Sequence, residues 1–124
     1  MAIESLNPST GERLATFPET SPAEVSSILD AAVAAQRAWA RLPFGERAAP
    51  MRRVGALLRE RAQEYAKLMA LEMGKPVTQG RAETDKCAGV CDYYAEHAAR
   101  LLAPEPAPTE ARASYVAFEP IGPV

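Results

Sequence analysis

Alanine sets the terms on which this chain can fold, because 25 of its 124 residues are Ala. Alanine is the best intrinsic helix former, yet it removes little apolar area from water when buried. Although 48% of the residues are apolar, only 34 of them are larger apolar or Cys side chains able to fill a core. The sequence is therefore rich in helix formers and thin in core builders, at the length of one modest domain.

The punctuation between helices is read from turn formers and caps. Ile3 and Leu6 precede Asn7-Pro8-Ser9-Thr10-Gly11, and Leu14 to Phe17 resume an extended pattern, which predicts an N-terminal β-hairpin. Ser21-Pro22-Ala23-Glu24 combines an N-cap hydroxyl, Pro at the first helical position and Glu at the capping-box position. The first helix runs from there to near Leu42, with Val25, Ile28, Leu29, Ala32, Ala35 and Trp39 on one face. A second helix is expected over 46–73, striped by Met51, Val54, Leu58, Ala62, Tyr65, Leu68 and Met69. Pro50 should kink it or mark its start, and Gly74 followed by Pro76 should end it. A third helix is expected over 78–102, striped by Cys87, Val90, Cys91, Tyr94, Ala98, Leu101 and Leu102, with Glu96 and Arg100 as an i,i+4 pair. Pro104-Glu105-Pro106-Ala107-Pro108 reads as a stiff linker without helix or sheet, and 113–118 as a strand closed by Pro120. A hairpin, three amphipathic helices and a C-terminal strand leave apolar faces and strand edges unpartnered, and the apolar ending Ile121-Gly122-Pro123-Val124 reads as a sequence that continues.

Charge and composition remove several function classes. The net charge of −2 comes from 14 basic and 16 acidic residues spread along the chain, without the basic footprint of a nucleic-acid binder. No apolar run approaches the roughly 20 residues that span a bilayer, and the first residues lack a secretory pattern. Two cysteines in such a chain read as reduced thiols, and the expected location is the cytoplasm.

The candidates for chemistry are few. Cys87 and Cys91 share a helix face but lack the C-x-x-C turn of a redox or zinc site, so they read as small apolar core groups. His97 is the only histidine; six residues from Cys91, it lies about −120° around the helix axis and does not converge on that thiol. Gly74-Lys75 lacks the earlier Gly and the following Ser or Thr of a phosphate loop, because Met69 and Pro76 occupy those positions, and reads as a helix end. Arg52, Arg53, Arg59 and Arg61 read as the solvated face of the second helix. No catalytic, cofactor-binding or metal-binding set is expected within these residues.

Several segments together resemble the start of the aldehyde dehydrogenase family. Asn7-Pro8-Ser9-Thr10-Gly11-Glu12 is similar to the family's opening N-P-x-T-G-E turn, and Leu71-Glu72-Met73-Gly74-Lys75-Pro76 to the E-x-G-K-P stop of its second main helix. Ala82-Glu83 through Cys91-Asp92-Tyr93-Tyr94-Ala95-Glu96-His97 resembles the third helix, particularly as found in succinate-semialdehyde dehydrogenases. Tyr115 to Gly122 resembles the strand leading into the P-W-N-F segment. Gly45 in place of a stronger N-cap residue, and Pro50, depart from that pattern.

The resemblance implies an α/β fold, with 1–103 as the helical start of a Rossmann-like cofactor domain and 104–124 as linker and first strand of an oligomerisation arm. It also implies NAD or NADP as cofactor, a small aldehyde as substrate, a homo-oligomer, and a Cys nucleophile, an oxyanion-hole Asn and a water-activating Glu. In the family pattern those catalytic parts lie beyond Val124, so neither Cys87 nor Cys91 inherits the nucleophile's role and the chain alone should be inactive. The third helix borders the substrate tunnel in family members, which puts Lys86 near its mouth. The alternative is a stand-alone helical module that binds a partner through its apolar stripes.

Overall fold

The structure, a computed structural model, describes residues 2–123; Met1 and the last residue of the apolar ending, Val124, lie outside them. Strands β1 (Ala2–Leu6) and β2 (Arg13–Pro18) form the expected antiparallel hairpin, with Ile3 opposite Phe17 and a bulge between Ser5 and Leu6. The Asn7 side chain accepts from Ser9 N at 2.9 Å, its backbone closes on Gly11 and Glu12 at 2.8 Å, and Gly11 supplies the positive φ of 74°. The hairpin docks on the end of a helix: Ser5 Oγ donates to Glu72 Oε1 at 2.8 Å, and Pro8 abuts Gly74.

Helix α1 (Pro22–Trp39) begins with the capping box that the sequence predicts. Glu24 N donates to Ser21 Oγ at 3.3 Å, while Ser21 N donates to Glu24 Oε2 at 2.9 Å. The Ser21 hydroxyl, and then its backbone N–H, hold the Glu24 carboxyl below its ordinary value of 4.5. The helix ends earlier than expected, but i→i+3 bonds from Arg41 to Ala38 and from Leu42 to Trp39 keep the chain wound to Leu42.

The expected second helix is two helices. Helix α2 (Phe44–Glu60) carries Pro50 in its interior without interruption, and α3 (Ala62–Met73) follows a bend at Arg61, where φ is −105° and ψ is 17°. Arg61 N still donates to Leu57 O and Tyr65 N to Arg61 O, so the last bond of α2 and the first bond of α3 meet at Arg61, and among the described residues no backbone bond runs directly from α3 to α2 across it. No residue type marks the break. Beyond it, Ala62 and Ala66 are buried, in the stretch of α3 that packs against the next helix. Gly74 ends α3 in the left-handed conformation expected of it, at φ 68°.

Helix α4 (Val77–Leu101) runs back along both. Gly80 meets Ala66, Ala88 and Cys91 meet Gly55, Arg59 bonds Asp92 at 2.6 Å, and Arg52 reaches Ala95 O at 3.4 Å. From Gly80–Ala66 through Ala88–Gly55 to Ala95–Arg52 the partners descend on one side as they rise on the other, so the packing is antiparallel. Two of the four arginines assigned to a solvated face thus tie helices together. The expected Glu96–Arg100 pair is not among the ion pairs of the described residues.

The buried residues are small: Ala48, Gly55, Ala62, Ala66, Gly80, Thr84 and Ala88. Thr84 satisfies its hydroxyl on Gly80 O at 2.9 Å, one turn back. The large apolar stripes are outside this seam. None of α1 is buried, and Val90 and Tyr94 of the α4 stripe are exposed. Cys87 is exposed and Cys91 half-buried, which corrects the expectation that both are core groups. The periodicity identifies residues that share a face; in these helices the close approach uses the face with the smallest side chains.

The Pro-rich segment also departs from expectation. Glu105–Pro106 forms β3, paired antiparallel with β4 (Tyr115–Val116), and Ala107 N donates to Ser114 O at 2.9 Å. Pro106 lacks a donor, so this pairing can form only as a short ribbon.

Candidate functional site

Two hollows border α4. One, of about 430 Å³, lies between the end of α1, the first turns of α2 and the last turns of α4, and includes Trp39, Phe44, Arg47, Met51, Tyr94 and Leu102 in its lining. The Arg47 guanidinium lies 4.1 Å above the Phe44 ring, and its buried Nε has no hydrogen-bond partner among the described residues. Nothing in the linear pattern marks Arg47 beyond its i,i+3 spacing from Phe44. Glu96 also lines this hollow, so its charge is mixed.

The other, of about 630 Å³, is shallow because one helix supplies its whole lining: Ala82, Glu83, Lys86, Cys87, Val90 and Cys91. Lys86 lines this hollow with both thiols, although the stripe beside it is exposed rather than buried as expected. Glu83 is ion-paired with Lys75, which bridges the turn between α3 and α4. His97 does not join this group. Its ring packs edge-on against Tyr93, with centroids 4.5 Å apart.

The Gly74-Lys75 turn does not fit a nucleotide phosphate. Gly74 N and Lys75 N point back to Ala70 O and Met69 O, closing the α3 terminus, and Lys75 Nζ is held by Glu83. A phosphate cradle needs such N–H groups free and converging. Among the described residues no group of three or more His, Cys, Asp or Glu could hold a metal ion. No helix of the described residues is long and apolar enough to cross a membrane.

Residues 1–124 match the Aldehyde dehydrogenase family. The chain belongs to that family. A probable NADP(+) succinate-semialdehyde dehydrogenase from Synechocystis is 42% identical over 122 residues, covering 98% of this chain and 27% of that protein. An NAD(P)+ succinate semialdehyde dehydrogenase from Escherichia coli K12 is 38% identical, covering 95% and 26%. Among solved structures, succinic semialdehyde dehydrogenase from Streptococcus pyogenes in complex with NADP+ superposes with a TM-score of 0.86 at 30% identity, over 92% of this chain and 25% of that one. The chain therefore has the fold of aldehyde dehydrogenases over about a quarter of the length of these relatives.

Proposed function

We propose that these residues are the N-terminal helical part of an aldehyde dehydrogenase that oxidises succinate semialdehyde to its carboxylate with NADP or NAD. Residues 1–103 begin the cofactor-binding domain, and 104–124 are the linker and first strand of an arm through which a cytoplasmic homo-oligomer assembles. The reaction's nucleophile, base and cofactor contacts belong to parts of the fold outside these residues. What supports this reading is the superposition of 92% of the chain on a succinic semialdehyde dehydrogenase at a TM-score of 0.86 and 30% identity.

Within such an enzyme this chain contributes scaffold and one wall. The small-residue seam fixes α4 against α2 and α3, and α4 presents Lys86, Cys87 and Val90 outward. A cation at the polar edge of that wall attracts a dicarboxylic semialdehyde through its field, an influence that shrinks as salt shortens the Debye length to about 8 Å at physiological strength.

The test is a chimera in which residues 1–124 replace the matching segment of the Synechocystis protein. NADP-dependent oxidation of succinate semialdehyde within about tenfold of the parent is expected, since a scaffold exchange leaves the reacting groups in place. The isolated chain is expected to show no turnover above a protein-free blank. A folded chimera without activity, or turnover by the isolated chain, overturns the proposal.

A further inference from the structure

We infer that Cys87 and Cys91 form a dithiol site for a trivalent arsenical, closed by one bridging atom. Both are free, one exposed and one half-buried, and both line the same hollow on α4. This inference does not depend on the activity proposed above.

Helical spacing decides which chemistry two such thiols can perform. Side chains four apart on a helix have Cβ atoms about 5–6 Å apart. A disulfide needs about 3.8 Å between Cβ atoms, so direct oxidation would require α4 to distort. Inserting one atom lengthens the bridge by a second bond to sulfur, and metal–thiolate bonds are about 2.3 Å long, which matches the helical separation without distortion. Zinc demands four ligands in a structural site, and among the described residues no third His, Cys, Asp or Glu joins this pair in a metal-holding group. A soft centre satisfied by two sulfurs fits the donor set, and trivalent arsenic bearing one organic group is such a centre.

The reaction balances without an oxidant. An arsonous acid, R–As(OH)2, meets the two thiols; two S–As bonds form and two As–O bonds break. The two thiol protons leave with the two hydroxyls as two molecules of water. Arsenic remains trivalent and both sulfurs remain at the thiol level. Glu83, the only carboxylate in the hollow, is held by Lys75 and leaves the sulfurs as its donors.

The probe is phenylarsonous acid added to the 124-residue chain under reducing conditions without thiols. Intact mass is expected to show one phenylarsenic per chain with two thiols lost to a thiol reagent. The adduct should survive excess monothiol and release to a 1,2-dithiol. Cys87→Ser and Cys91→Ser should each weaken binding roughly a hundredfold or more, because the second thiol acts at an effective concentration in the millimolar range. Binding in 8 M urea should be weaker than in buffer, since only the helix holds the thiols at the bridging distance. Release by monothiol, two chains per arsenic, unchanged affinity in either variant, or equal affinity in urea each overturns the inference.

Discussion

A methyl group placed on Gly80 would lie 3.0 Å from the Cα and 3.1 Å from the Cβ of Ala66. Neither atom can rotate away, because both are fixed by the α3 backbone. Replacing a helical Gly by Ala contributes about 1 kcal/mol of helix propensity, whereas overpacking costs about 1–3 kcal/mol. Gly80→Ala is therefore expected to lower stability by about 1 kcal/mol in urea unfolding. Gly89 on the same helix meets nothing within 4 Å, so Gly89→Ala should raise stability by about 0.5–1 kcal/mol. Equal shifts for the two variants would show that the seam is looser than its distances. Lys86 supplies a second residue-scale test in the chimera. Lys86→Met should lower kcat/KM for succinate semialdehyde about two- to fivefold at low salt and much less at high salt, as expected of long-range steering. A wild-type-to-mutant ratio near one at both salts assigns the lysine to ordinary solvation.

Helix α1 buries none of its residues, so its persistence in the isolated chain depends on local terms, above all its capping box. Ser21→Ala removes a cap worth about 1 kcal/mol and should fray residues 22–39 while leaving α2, α3 and α4 intact, as read from Cα chemical shifts. The same box makes α1 acid-sensitive. Because Glu24 has a depressed carboxyl pKa in the folded chain, its contribution is fully present above 4.5 and is lost as pH falls through the depressed value. Wild-type α1 shifts should therefore drift toward coil below about pH 4.5, with a smaller drift in Ser21→Ala; superimposable profiles would count against the box. The hairpin turn, this cap and the Gly74 terminus were legible in the sequence because each depends on neighbours in the chain. The bend at Arg61 was not, since its residue type favours helix and tertiary packing of Ala62 and Ala66 accompanies the change of direction. The inward face of α4 was misread for a related reason. Gly80, Thr84 and Ala88 recur every four residues, a signal of close helix approach, but larger side chains at the same period dominate a hydrophobic stripe. Lys86 is exposed as expected, but the Cys87–Val90 stripe beside it is exposed too rather than buried, and the buried Nε of Arg47 depends on α1, α2 and α4 meeting.

A self-sufficient monomer of 13.3 kDa exposes about 6,500 Å² by the scaling of folded proteins, whereas this chain exposes 9763 Å². The excess, about 3,300 Å² on this one side, far exceeds the roughly 800 Å² per partner of a standard interface and belongs with obligate ones. Its composition agrees, since Ile28, Leu29, Trp39, Tyr94 and Leu102 are all among the exposed large side chains. In the proposed enzyme these faces belong against the rest of the aldehyde dehydrogenase fold, and a 124-residue chain on its own must leave them wet or pair them with copies of itself. The isolated chain is accordingly expected to bind the apolar dye ANS and to unfold with a urea m-value well below that of a normal domain of its length, because m scales with the area exposed on unfolding. In the chimera the same residues should give no dye signal above the parent enzyme. Strong ANS binding by both proteins would mean that the faces stay uncovered in the assembled fold. A dye-silent, monomeric isolated chain with a full m-value would mean that α1 folds back onto α4 and that the chain is complete as a stand-alone helical module.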